Sequence, residues 1–197
     1  FENFPKGTGF PALEAPAIRD ELSLASVQAF SFNDTATTEI DDALSVQGLG
    51  TDEVTVGVHI AAPGLAVLPG SPVDQLGRNR LSTVYMPGFK ITMLPDAVVQ
   101  SYTLMEGRDC PAVSLYVTLD AATLEIKKSE TKLERVPIAA NLRHDKLDTV
   151  VTSEWLENSQ LEHENGPQLP PVMREQLTFL YRLAKNLKGK REVERGK

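Results

Sequence analysis

The apolar positions of this chain change period partway along it. Val54, Val56, Val58 and Ile60 alternate with Thr55, Gly57 and His59, the two-residue repeat of a half-buried strand. Val113, Leu115, Val117 and Leu119 repeat the pattern. Residues 26–32 carry it more weakly, with Val27, Ala29 and Ser31 on one face. Residues 43–46 form a further short strand before the Gly48-Leu49-Gly50 turn, and residues 124–126 with 132–136 read as a hairpin extending the same sheet. Residues 61–70 are loop, with Pro63-Gly64 and Pro69-Gly70 as turn signals. Ser71 followed by Pro72 is an N-cap with proline at the first helical position, which predicts a short helix over 73–80. Pro87-Gly88 and Pro95 bracket residues 89–94. After Pro137 the repeat becomes helical. Leu142, Leu147, Val150, Val151, Trp155 and Leu156 fit one helical face ending near Asn158. A polar loop through Gly166-Pro167 then leads to Met173, Leu177, Leu180, Ala184 and Leu187 at three- and four-residue steps.

Strands first and helices later predict an α+β domain, a mixed, mostly antiparallel sheet flanked by helices, strand-rich over 19–137 and helical over 138–197. Residues 1–18 hold Pro5, Gly7, Gly9, Pro11 and Pro16, too closely spaced for regular structure, and read as a linker or the edge of a preceding domain.

Composition narrows the class. A chain of 197 residues, 41% hydrophobic and 24% charged, has material for one sizeable core. A net charge of -7 argues against a surface that grips nucleic acid by charge alone. Positive charge is densest after Lys185, in a run through Lys188, Lys190, Arg191, Arg195 and Lys197 that reads as a solvated helix end. The lone Cys110 excludes an internal disulfide framework. No apolar stretch has the length of a membrane span and no signal-peptide pattern opens the chain. The expectation is a soluble, membrane-free protein of the cytoplasm or an organellar matrix. A chain that starts at Phe1 and stops in a basic helix also reads as a piece of something longer.

Charge distribution is more informative than net charge. From Asp20 to Gln75 there is no lysine or arginine, yet the stretch holds Asp20, Glu21, Asp34, Glu39, Asp41, Asp42, Asp52, Glu53 and Asp74. Its densest part runs Asn33-Asp34-Thr35-Ala36-Thr37-Thr38-Glu39-Ile40-Asp41-Asp42. Converging carboxylates raise one another's pKa values unless a cation joins them, and oxygen donors suit magnesium or manganese. In an extended segment Glu39 and Asp41 share a face, while Asp42 joins them only through a bend. The segment is either a metal site for phosphoryl chemistry or a solvated acidic turn. An EF-hand is excluded because Ala36, Thr38 and Glu39 stand where that loop needs Asp or Asn twice and then Gly.

A second segment, residues 78–95, sets Arg78, Arg80 and Lys90 beside Tyr85 and Phe89. Aromatic rings next to cations hold single-stranded nucleic acid by base stacking and phosphate contact, so Arg80, Tyr85 and Phe89 are candidate RNA contacts. The alternative is core aromatics with surface arginines.

Four ordered blocks across about 60 residues resemble one family. Thr37-Thr-Glu-Ile-Asp-Asp-Ala-Leu-Ser-Val46, Val56-Gly-Val-His-Ile-Ala61, Pro69-Gly-Ser-Pro-Val-Asp74 and Tyr85-Met-Pro-Gly-Phe-Lys-Ile-Thr-Met-Leu-Pro95 look like the N-terminal half of the catalytic RNB domain of the ribonuclease II and ribonuclease R exonucleases. The likeness continues through Pro111-Ala-Val-Ser114 and residues 148–158 and covers roughly residue 19 to the end. It implies processive, magnesium-dependent (manganese possible) hydrolysis of single-stranded RNA from the 3′ end to 5′ mononucleotides. It implies a metal set of Asn33, Glu39, Asp41 and Asp42, with Asp41 and Asp42 organising the attacking water and Tyr85 stacking on a base at the 3′ end. His59 reads as a structural strand residue. Three positions depart from the family pattern. Asn33 stands for a carboxylate, with Asp34 beside it as a substitute; Ala62 stands for Asp, and Cys110 for Arg. The family's arginine-rich motif has no counterpart before Lys197, so this piece alone is not expected to be competent. The implied partners are an RNA 3′ end, the other half of the catalytic domain and RNA-binding domains outside the chain. A non-catalytic RNA-binding or scaffold relative is the alternative, as is a plain acidic domain that binds a protein.

Overall fold

A computed structural model describes residues 8–148, 150–157 and 171–196. Its centre is a closed five-stranded barrel of β1 (Ala29–Asn33), β2 (Asp42–Gln47), β3 (Glu53–Ala61), β6 (Asp109–Asp120) and β7 (Ile126–Arg143), in that order around the wall. Neighbours are antiparallel except β1 and β7, whose parallel pairing closes the ring. Between β3 and β6 the chain leaves the wall to form a turn at Pro63–Leu65, α1 (Pro72–Arg80), a hairpin of β4 (Val84–Met86) and β5 (Phe89–Ile91), and α2 (Asp96–Tyr102). After β7 come α3 (His144–Leu147), α4 (Ser153–Glu157) and the long α5 (Pro171–Glu194). The α+β class and the mostly antiparallel sheet are as expected. The start of α1 is too: Ser71 Oγ accepts the Asp74 N–H at 3.2 Å, and Pro72 occupies the first turn.

Closure changes which face of the clearest strand is covered. Ser45, Gly57, His59 and Ser114 line a narrow lumen, where a Cβ on Gly57 would sit 2.4 Å from Ser45 Oγ, so only glycine fits. Val54 and Val56 point outward instead, under Phe179 of α5, while Ile60 at the end of the same row is 46% exposed. His59 is fully buried, its Nε2 2.8 Å from Ser45 Oγ and its Nδ1 2.8 Å from Ser114 Oγ. It is structural, as its place in the strand suggested.

The expected change to helix after Pro137 is corrected. β7 runs through the proline to Arg143, because Val136, Ile138, Ala140 and Leu142 keep the two-residue repeat and pack inward or against α5's neighbours. Pro137 stands where β7 hands over from β6, last paired at Asp109, to β1, first paired at Ala29, so its missing N–H falls at a break in the ladder. The single helix expected from Leu142 to Asn158 is two short ones, α3 and α4, with Val150 and Trp155 buried against Phe30 and Leu177. Asn158 and the Gly166-Pro167 loop lie outside the described residues. The described part of the supposed linker is also docked. Leu13, Ala15 and Ile18 pack on Ala66, Val73, Val98 and Tyr102, and Tyr102 Oη donates to the Pro16 carbonyl.

Candidate active site at the β1–β2 connection

The acidic decade is the connection between β1 and β2. Asn33 ends β1 opposite Arg143, whose guanidinium crosses to donate to the carbonyls of Asp34 (2.9 Å) and Thr37 (3.2 Å). The Thr37 N–H closes a turn on Asp34 O at 2.9 Å. Further along, Ile40 is buried and hydrogen-bonded on both sides of its backbone. Its N–H donates to Thr103 Oγ1 at 2.7 Å, and its carbonyl accepts the Leu104 N–H at 2.9 Å. With Ile40 pinned inward, Glu39 and Asp41 emerge on the opposite side. Both line a cavity of about 340 Å3 with Ile60, Thr83, Met93 and Leu94. They share a face as expected, and Asp42 follows as the first residue of β2, paired with Ile60.

The charges interact. Burial, then the charges of Glu39 and Asp42, push the Asp41 carboxyl above the usual carboxylate range, and Lys90 partly opposes them. Lys90, on β5, donates to Glu39 Oε1 at 3.0 Å and to Thr38 Oγ1 at 3.0 Å. Asn33 Oδ1 is a buried acceptor without a hydrogen-bond partner. An orphaned amide oxygen at one end of the connection and the carboxylates of Glu39, Asp41 and Asp42 at the other are oxygen donors of the kind a hard divalent cation takes. Among the described residues no three His, Cys, Asp or Glu side chains are drawn together closely enough to hold a metal by themselves. Asn33 and the ion-paired Glu39 are therefore part of how this set differs from a preformed acidic cage.

The hairpin beside the cavity carries Tyr85 at 73% and Phe89 at 59% exposure, which removes the core-aromatic reading. Arg80 is corrected. It is 5% exposed and donates to the carbonyls of Thr92 (2.9 Å), Thr8 (3.1 Å) and Gly9 (2.6 Å), with its guanidinium 3.8 Å above the Phe10 ring. It clamps the N-terminal segment to the hairpin base instead of presenting a cation to phosphate. Of the departing positions, Ala62 and Cys110 are both buried, and burial pushes the Cys110 thiol up. Thr103 and Arg143, which shape the acidic connection, carry no local signal, since each acts across more than sixty residues of chain. No helix among the described residues is long and apolar enough to cross a membrane.

The model of the RNB domain matches residues 21–197. Exoribonuclease 2 of Pectobacterium atrosepticum is 30% identical over 167 residues, 84% of this chain and 24% of that protein. Among solved structures, Mycoplasma genitalium RNase R in complex with ribose-methylated single-stranded RNA superposes with a TM-score of 0.67 at 19% identity, over 86% of this chain and 26% of that one. Yeast Ssd1, a pseudonuclease, does so with a TM-score of 0.63 at 22% identity, over 71% of this chain and 18% of that one. The chain thus spans about a quarter or less of the length of each. With the family match extending over residues 21–197, this chain belongs to the RNB domain family.

Proposed function

We propose that this chain supplies the metal-binding half of an exoribonuclease that degrades single-stranded RNA processively from its 3′ end, with Mg2+, to 5′ mononucleotides. The observation that carries the reading is one connection that holds Asp41, raised in pKa by burial and by Glu39 and Asp42, together with an orphaned Asn33 oxygen, and that is tied through Glu39 and Lys90 to a hairpin exposing two aromatic rings. Asn33, Glu39, Asp41 and Asp42 would hold the cation. When bound it would supply activation of the attacking water and neutralise charge on the phosphate. Tyr85 and Phe89 offer stacking faces to the terminal bases at roughly 1 to 3 kcal/mol each. Ile40 fixes the side to which Glu39 and Asp41 point, and Ile60, Met93 and Leu94 form an apolar wall of the cavity those two line. Arg80 is not among the phosphate contacts. Cations for the transferring phosphate come, in this reading, from the rest of the catalytic domain, with RNA-binding domains beyond it. A buried free thiol supports a reducing compartment, cytoplasm or organellar matrix.

The test is to titrate Mg2+ or Mn2+ into the intact protein and follow 3′-labelled single-stranded RNA. Metal-dependent release of mononucleotides is expected, and its absence would reject the enzyme. The neutral Asn33 and the likeness to a pseudonuclease favour a second reading, an RNA-binding relative with an impaired site. Asn33→Asp separates the two. In an enzyme, the added carboxylate should raise the rate at subsaturating metal by about 10- to 100-fold, the scale on which metal sites respond to one altered group. RNA binding with no hydrolysis in either form would establish the second reading.

A further inference from the structure

We propose that Lys90 is a placeholder cation: its ammonium holds Glu39 when no metal is bound, competes with a divalent ion for that carboxylate, and by the same bond ties the aromatic hairpin to the acidic connection. The inference rests on the metal reading of Asn33, Glu39, Asp41 and Asp42 given above.

The first ground is position. The Lys90 Nζ lies 3.0 Å from Glu39 Oε1 and 3.0 Å from Thr38 Oγ1, and its charge also acts on Asp41. One ammonium therefore works against two of the three carboxylates. The Glu39 side chain is only 16% exposed, so losing its partner without replacement leaves a poorly hydrated charge. A divalent ion replaces that partner with a stronger one, and both cannot occupy the same carboxylate oxygens.

The second ground is what Lys90 is attached to. β4 and β5 form a two-stranded sheet of their own, outside the barrel ladder, and Lys90 is the register partner of Tyr85. Isolated two-stranded hairpins are marginal. Arg80 holds the hairpin's base through Thr92 O, while Lys90 ties β5 to Thr38 and Glu39. The rings of Tyr85 and Phe89 ride on the strands so tethered. Entry of a metal at Glu39 releases Lys90, loosens the hairpin and leaves an ammonium free beside the acidic connection. Metal occupancy and hairpin mobility are then reciprocally coupled.

The experiment compares the intact protein with Lys90→Met and Lys90→Arg, using Mn2+ alone as probe. Binding is measured by titration calorimetry, and hydrogen exchange is followed over residues 84–91 without metal. Lys90→Met should bind Mn2+ about tenfold more tightly, the scale of removing one competing charge at a partly buried carboxylate. Its hairpin should exchange faster before metal is added. Lys90→Arg should stay close to the parent in both. Equal Mn2+ affinity in parent and Lys90→Met, with unchanged hairpin exchange, would overturn the proposal while leaving the metal site standing. Failure of parent and variants alike to bind Mn2+ would overturn the metal reading itself, and the placeholder with it.

Discussion

Asp41→Asn is expected to lower metal-dependent RNA hydrolysis by about three orders of magnitude without lowering the melting temperature. The kinetic half follows from the proposed metal site: an amide at position 41 would remove one anionic ligand and the charge that would orient and deprotonate water, and losses of 10² to 10³ or more are usual when a group acting on the transition state is deleted. The stability half follows from the electrostatics. Asp41 is held above the usual carboxylate range by burial and by Glu39 and Asp42, so its ionised form is less stable in the folded chain than in the unfolded one at neutral pH. A neutral side chain of the same shape relieves that repulsion, and the melting temperature should hold or rise slightly. Differential scanning calorimetry beside single-turnover kinetics reads both. A variant that loses activity together with several degrees of melting temperature would mean that position 41 supports the fold, not the chemistry.

The other large effect concerns acid. Burial in the barrel lumen lowers the pKa of His59 from 6.5 to about 4, with Glu134 partly opposing. The folded state therefore keeps the imidazole neutral between two serine hydroxyls where the unfolded chain would protonate it. Stability contributed by His59 is complete above pH 6.5 and is lost as pH falls from 6.5 toward 4, amounting to about 3 kcal/mol by pH 4. Urea titrations at intervals between pH 7 and pH 4 should show this slope. His59→Gln, which can still meet Ser45 and Ser114 but does not titrate, should be less stable at pH 7 and flatter with pH. A parent and a Gln variant with the same acid slope would move the effect elsewhere, to carboxylates such as Asp120, whose pKa is lowered to about 2 by backbone N–H donors.

Much of the barrel could be read along the chain, because strand alternation and the Ser71-Pro72 cap are local signals with local causes. The closure could not. Val54 and Val56 look identical in sequence whether they face a lumen or a helix, and only the smallness of Ser45, Gly57 and Ser114 hinted that the other face was the cramped one. Pro137 misled for a related reason: a proline ends a ladder wherever it has one partner, yet here it sits where the strand exchanges one partner for another. At the site, Glu39, Asp41 and Asp42 were visible as a cluster of like charge. Arg80 was misassigned because a cation beside aromatics has the same pattern on a surface as in a buried clamp. Lys90 and Glu39 are 51 residues apart, and nothing in their separate surroundings announces the bond between them.

The parallel seam between β1 and β7 has a consequence for biosynthesis. Asn141 Nδ2 donates to Ser31 Oγ at 2.9 Å across that seam, and the two residues lie 110 positions apart. During translation β1 emerges long before its closing neighbour exists. At roughly 5 to 20 residues per second its open edge waits roughly 5 to 20 seconds for β7. Over that interval the nascent chain exposes Phe30 and a row of unpaired backbone groups that the finished protein hides completely. Ribosome-associated chaperones therefore matter most while residues 34–140 are being made, and a translational pause placed before β7 should lower soluble yield more than one placed after it.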